Sequence, residues 1–384
     1  MDSENLADLK DLDVDCNIKN NVKRASFTCT IENFSIYYSG FSPCGRRFRD
    51  NYHYDYIYCR NDKPCPECCE KKSAIIDCHT FNFDLDSKVK FSLDIHKNGS
   101  DAESKGHVSL FLQFKEFSCL KILALCKFSI LKVDGKEEYK SVVGVEEFGR
   151  NKKYYGLKKF INKDDLFTRK SILLPGDRLT VCFEIFYLCD DVNTADVSEA
   201  TNIGEPLNMF LKDISKLLDS SDFYDCVIKV ENSEINVHKC ILATRSEVFR
   251  STLKKKLTEL ESDIIEINDF RLEVVKEMVT FLYTGRSPRM NEMAVEMLEI
   301  ADKYKLEELK LIATKSLLSS LNVPNACEYL EKSEMYSAEV LKEFTIRYIY
   351  LNAKEVVKSE RWSRIVTLYP LLLARIFDVA VDID

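Results

Sequence analysis

What is missing from this chain narrows its function before any motif is considered. No run approaches the 18 apolar residues that a membrane-spanning helix needs. The first fifteen residues, MDSENLADLKDLDVD, are acidic and lack the apolar segment of a secretory signal. No block of basic residues stands against a net charge of -8, from Lys+Arg 55 and Asp+Glu 63, which argues against nucleic acid as the main partner. Histidines number only five, at 53, 79, 96, 107 and 238, and no metalloprotease or hydrolase motif surrounds any of them. There is no internal repeat and no low-complexity tract. These features predict an intracellular, soluble protein of the nucleus and/or cytoplasm, without a signal peptide or transmembrane segment.

What is plentiful is length, apolar content and cysteine. A chain of 384 residues with 45% hydrophobic content exceeds one ordinary core and implies two or three domains. The 15 cysteines are odd in number and many sit inside apolar runs such as TVCFEIF, which suits reduced, buried thiols better than a disulfide framework. One cluster is different. CRNDKPCPECCEKKSAIIDCH, from Cys59 to His79, contains Cys65-x2-Cys68, which is zinc-ligand spacing, and Cys59, Cys69, Cys78 and His79 are further candidates. No second pair at regular spacing completes the pattern, so the expectation is a loop with incidental thiols and no metal.

Two regimes of periodicity divide the chain. From Phe27 to Leu188 the period is mostly two: Val89, Phe91, Leu93 and Ile95 alternate with Lys90, Ser92 and Asp94, and Leu179, Val181, Phe183 and Ile185 alternate with Thr180, Cys182 and Glu184. This predicts strands with one buried face. VDG at 133–135 and LPGD at 174–177 supply turns, and the sum is an antiparallel sandwich. DDVNTADVSEATNIGEP, 190–206, has no sustained period and predicts a linker. Beyond it come a helix over 207–218, short strands in YDCVIKV and EINVH, a helix, a strand in IIEIN, and a helix in RLEVVKEMVTFLYTG with Gly285 as its C-terminal cap. From Asn291 onward the pattern is helical, interrupted at Pro324 and Pro370.

The stretch NVHKCILATRSEVF, 236–249, carries the side-chain types of a nucleophilic site. On a helix, however, His238 and Cys240 diverge by roughly 200° and do not face each other. Ile241 with Val248, and Leu242 with Phe249, lie seven apart and predict one apolar helical stripe instead. Packing is therefore the expected role, and a thiol enzyme built on Cys240 or the 59–78 cluster is a remote third reading.

DFYDCVIKV, NVHKCILATRSEVF, IEINDF, VVKEMVTFLYTG and ADKYKLEELK, in that order, resemble a BTB/POZ domain, and FTCTIENFS, HVSLFLQF, KFSIL, YYGLKKFI and LLPGDRLTVCFEI resemble a MATH (TRAF-like) sandwich. Together they are similar to the MATH-BTB family, to which the speckle-type POZ protein belongs. The resemblance implies a multidomain chain: an acidic tail over 1–24, an all-β MATH sandwich over 25–190, a linker over 191–206, an α+β BTB/POZ domain over 207–321, and an α-helical BACK-like region over 322–384. It also implies a function. Members are substrate adaptors of cullin-3 RING ubiquitin ligases, promoting ubiquitination and proteasomal degradation; the alternative is a scaffold or transcriptional cofactor without cullin binding. Neither reading makes the chain an enzyme or requires a cofactor.

The family's site residues carry over by position. The cullin-binding pattern of apolar residue, any residue, glutamate falls on Leu257, Thr258 and Glu259. The substrate groove falls on His107, Cys126, Tyr155, Leu157 and Lys158, with Glu147 or Phe148 as a further wall; His107, Cys126 and Leu157 stand where aromatic surface is usual, so the bound motif of protein substrates is expected to differ. A homodimer is implied through BTB, with Phe210, Ile214 and Leu217 on one helical face. Asp225 and Lys239 are expected to form a structural charge pair.

Overall fold

The computed structural model describes residues 22–35, 75–82, 90–116, 121–149, 154–189, 204–220, 223–259 and 263–381. The cysteine run from Cys59 to Cys69 lies outside them, and of Cys78 and His79 only the backbone, in a strand, is described.

Eight strands build the N-terminal half: β1 (Lys23–Ile31), β2 (Ile75–Asn82), β3 (Lys90–His96), β4 (His107–Glu116), β5 (Lys121–Leu131), β6 (Glu137–Gly149), β7 (Tyr154–Asn162) and β8 (Leu179–Cys189). They form two four-stranded sheets, β1-β8-β5-β6 and β2-β3-β4-β7, paired antiparallel throughout. The alternating residues read in the sequence face inward: Phe91, Leu93 and Ile95 from one sheet meet Phe128, Val181, Phe183 and Ile185 from the other in a single core. The VDG turn closes the β5-β6 hairpin, where Lys132 N–H donates to Lys136 O and Gly135 takes positive φ. Helices α1 (Lys163–Thr168) and α2 (Lys170–Leu173) fill the connection to β8.

One glycine is dictated by this architecture. At Gly156 an added Cβ would lie 1.9 Å from the carbonyl oxygen of Leu110, so the register of β7 on β4 requires the absence of a side chain there.

The second half opens with α3 (Gly204–Asp219), which begins three residues before the helix expected from the sequence. Strands β9 (Cys226–Val230), β10 (Ser233–Val237) and β11 (Ile264–Glu266) form a sheet of order β10-β9-β11, with β11 parallel to β9. Around it run α4 (Lys239–Arg245), α5 (Glu247–Glu259), α6 (Leu272–Thr284), α7 (Ala294–Lys303) and α8 (Glu307–Ser319). Gly285 ends α6 in the left-handed conformation, as a helix C-terminus needs. The predicted single stripe from Ile241 to Phe249 is corrected: Ser246 is extended (φ -141, ψ 125) and divides α4 from α5. Its hydroxyl explains the break, donating to Tyr304 O at 2.7 Å and accepting from Phe249 N–H at 3.2 Å. The remaining helices are α9 (Val323–Met335), α10 (Glu339–Leu351), α11 (Ala353–Val356), α12 (Glu360–Leu368) and α13 (Pro370–Val381). No helix among the described residues is long and apolar enough to cross a membrane.

The expectation of one buried face per strand fails for the sheet β1-β8-β5-β6. Leu125, Val145 and Phe186 point away from the sandwich core and belong instead to the core of the C-terminal half, with Leu123, Val142 and Leu188 packed beside them. Ile122 to Cys126 is apolar without alternation, the pattern of a strand covered on both sides.

Candidate functional site

The stretch around His238 is a packing and capping device. His238 is buried at the end of β10, its backbone N–H donates to Tyr283 Oη at 2.8 Å, and its Nδ1 lies 2.8 Å from the same oxygen. The one hydroxyl thus serves both the backbone N–H and the ring nitrogen, the direction of the second bond following the imidazole tautomer. Burial pushes the Tyr283 hydroxyl up to about 12, so it stays protonated in this role. Cys240 lies on the exposed side of α4 as a free thiol.

The expected Asp225/Lys239 pair is revised. Asp225 Oδ1 accepts the backbone N–H of Lys239 at 2.8 Å, satisfying one donor at the start of α4. The Lys239 ammonium goes to Asp263 at 2.5 Å, which together with Asp225 and Cys226 raises its pKa. Asp263 precedes β11 and is near only because β11 lies alongside β9, so local sequence carried no sign of it.

Leu257 occupies the last turn of α5 with 65% of its surface exposed. Thr258 is exposed beside it and ties its hydroxyl to Lys254 O at 3.0 Å. Glu259 ends the helix, and its side chain lies outside the described residues. On α3, Ile214 and Leu217 are half-buried against the core of their own half, while the Phe210 side chain lies outside the description. The apolar face therefore has work within the chain, independent of any partner.

The groove residues separate into floor and surface. Cys126 is fully buried and Tyr155 nearly so, the ring of Tyr155 meeting Phe148 edge-on at 5.0 Å. Burial pushes the Cys126 thiol up, and it pushes the Tyr155 hydroxyl up with added repulsion from Cys126 and Glu146. These two side chains lie beneath the sheet surface, where they pack and do not line an open groove as expected. The accessible part is on β7, where Lys158 is exposed and Leu157 half-exposed. Tyr154 is also exposed, a residue sequence reasoning missed; it shares a strand face with Lys158, the two standing on either side of Gly156, where the β4 backbone fills the space a side chain would take. The signal was the doubled Tyr154-Tyr155, of which only one can face inward.

Lys158 is engaged within the chain. Its ammonium lies 2.8 Å from Asp101 Oδ2, which raises its pKa, and the lysine with Ser104 holds the Asp101 carboxyl well below the usual carboxylate range. His107 lies at the far end: it pairs with Asn162, whereas Tyr155 pairs with Leu112. Five residues of strand separate the two positions, roughly 17 Å, the span of a short extended peptide. β7 ends its sheet, so its outer backbone edge has no strand partner among the described residues. Edge N–H and C=O groups of this kind can accept an added strand.

A MATH domain model matches residues 67–185, and a BTB/POZ domain model matches residues 214–321. TD and POZ domain-containing protein 2 of Mus musculus is 34% identical over 296 residues, covering 76% of this chain and 81% of its own length. Among solved structures, the BTB domain of zebrafish PATZ1 is similar at 19% identity, covering 31% of this chain and 98% of its own, with a TM-score of 0.27. The chain belongs to the MATH-BTB family.

Proposed function

We propose that this protein is a non-catalytic substrate adaptor of a cullin-3 RING ubiquitin ligase. The MATH sandwich captures an extended segment of a protein substrate along β7, the BTB domain docks on cullin-3 through Leu257, Thr258 and Glu259, and the bound substrate is ubiquitinated and sent to the proteasome. The observation that carries the reading is Leu257, a large apolar side chain left in solvent at a helix end. An apolar anchor of this kind fills a partner's pocket while neighbouring charge meets its rim. The MATH domain starts with β1 at Lys23 rather than at 25 and runs to 190, the linker ends before α3 opens at Gly204 rather than at 206, the BTB domain continues to 321, and 322–384 form a BACK-like region. BTB pairing through the α3 face of Phe210, Ile214 and Leu217 makes the adaptor a homodimer.

Substrate selection follows from the surface residues. Tyr154 and Lys158 stand on one face of β7, and Asp101 already neutralises the ammonium, so an acidic substrate side chain must compete with it. Affinity-capture of the tagged chain from cell lysate, read by mass spectrometry, tests both halves at once. Recovery of cullin-3 together with ubiquitinated proteins is the expected result. Recovery of protein partners without cullin-3 would make the chain a scaffold or transcriptional cofactor instead.

A further inference from the structure

The outer face of the sheet β1-β8-β5-β6 is not a surface. Phe186 is fully buried under C-terminal elements, its ring meeting Tyr350 edge-on at 6.4 Å. Two guanidiniums lie over its ring, Arg24 at 5.5 Å and Arg347 at 5.6 Å from the Phe186 centroid. Polar contacts bracket this apolar centre. Arg347, only 2% exposed, donates to Val22 O at 3.2 Å and pairs with Glu343 at 2.5 Å. Arg24 donates to Val379 O at 3.2 Å while its guanidinium pairs with Glu184 at 2.5 Å. At the other end, Lys315 of α8 pairs with Glu147 of β6 at 3.0 Å.

We propose that the sandwich is docked on the helical half as one body, so that the MATH groove is held at a fixed position relative to the cullin-facing end of α5. The occupant of the apolar sheet face is this chain's own C-terminal helical surface, principally α10 with α8 and α13. Three independent features agree. The sheet face carries apolar residues at positions where a solvated strand would carry polar ones. An ion pair crosses the seam from Lys315 to Glu147, while Glu184 takes Arg24 and Lys127 within its own sheet, so these charges face the seam already neutralised. The backbone oxygens of Val22 and Val379, from opposite ends of the chain, are both satisfied by arginines across the seam.

The seam also touches the groove's frame. Glu147 precedes Phe148, the ring against which Tyr155 packs, and Leu125 precedes Cys126, so docking residues and floor residues alternate on the same two strands. A consequence for substrate delivery follows, and it rests on the adaptor reading: two grooves of a dimer would stand at a set separation, selecting substrates whose motifs match that spacing. The docking itself does not depend on that reading.

Carbodiimide treatment of the full chain tests the docking. Glu147 and Lys315 are within zero-length reach and partly solvent-exposed, so an amide joining them should form and be found by peptide mass spectrometry. In an equal mixture of isotopically labelled and unlabelled protein the joined peptides should come from one chain. Leu125→Lys with Phe186→Lys should abolish the crosslink and enlarge the radius of gyration in X-ray scattering, while Glu147→Gln should abolish the crosslink and leave the dimensions unchanged. Absence of the wild-type crosslink, its occurrence only between labelled and unlabelled chains, or an already extended wild-type scattering curve would each overturn the proposal. None of these readouts involves cullin-3 or substrate, so docking and adaptor function fail separately.

Discussion

Replacing Tyr283 with phenylalanine removes one oxygen atom and tests whether His238 serves packing or chemistry. That oxygen accepts the His238 backbone N–H and sits 2.8 Å from Nδ1, in a buried setting where no water replaces it readily. The ring of phenylalanine keeps the volume, so no cavity term enters. What remains is the cost of leaving a buried backbone donor and an imidazole nitrogen unmet, about 1–3 kcal/mol for such an orphaned group. Against a total of roughly 5–15 kcal/mol for an ordinary domain, this is a large share. The assay is urea unfolding followed through Trp362, the single tryptophan, half-buried against the same hydrophobic core. The midpoint should fall with the slope unchanged, and Cys240 should alkylate at the wild-type rate under native conditions. A stability within about 0.5 kcal/mol of wild type, the range of an inert surface change, would refute the reasoning. A large change in Cys240 reactivity at full stability would revive the thiol reading.

Three further outcomes follow from the structure. Gly156→Ala should destabilise the sandwich by about 1–3 kcal/mol or more, because β7 must move off Leu110 to admit a methyl group; thermal unfolding of the full chain, showing no loss, would contradict the register. The Asp101–Lys158 pair has a depressed acid and a raised base, so its contribution is full above the ordinary carboxylate range and below the ordinary lysine range. It is lost only as pH falls through the depressed value or rises through the raised one. Asp101→Asn should therefore free Lys158 across neutral pH and strengthen acidic peptides on an array; an unchanged selection would remove Lys158 from the groove. Sedimentation at micromolar concentration should show a dimer, and a wild-type monomer would sink the α3 interface.

The pieces legible in the sequence were those fixed by neighbours along the chain. Alternation in β3 and the first part of β8, the VDG turn and the Gly285 cap all follow from local rules, and the structure has them where the pattern placed them. Order-and-spacing resemblance supplied the BTB half, where short strands and helices carry weak periodicity individually. The misses are tertiary. Ser246 breaks a regular stripe because Tyr304, fifty-eight residues later, offers its carbonyl. Lys239 chooses Asp263 over Asp225 because β11 arrives in parallel beside β9. Cys126 and Tyr155 sink into the floor because β5 and β7 face each other across the sandwich, which a one-strand reading cannot see. The apolar run Ile122–Cys126 did carry a sign of double coverage, and its partner, α10, lies more than two hundred residues away.

The central claim is that Leu257 anchors cullin-3, and calorimetric titration of the purified full chain with the N-terminal half of cullin-3 tests it most directly. The account predicts saturable binding by the wild type and its loss in Leu257→Asp, since a carboxylate driven into an apolar pocket costs several kcal/mol, at least about 2. The exposed position of Leu257 means that the variant should unfold at the wild-type temperature, so the loss is one of binding. A wild-type chain that gives no binding, or a folded Leu257→Asp chain that binds cullin-3 at wild-type affinity, would contradict it.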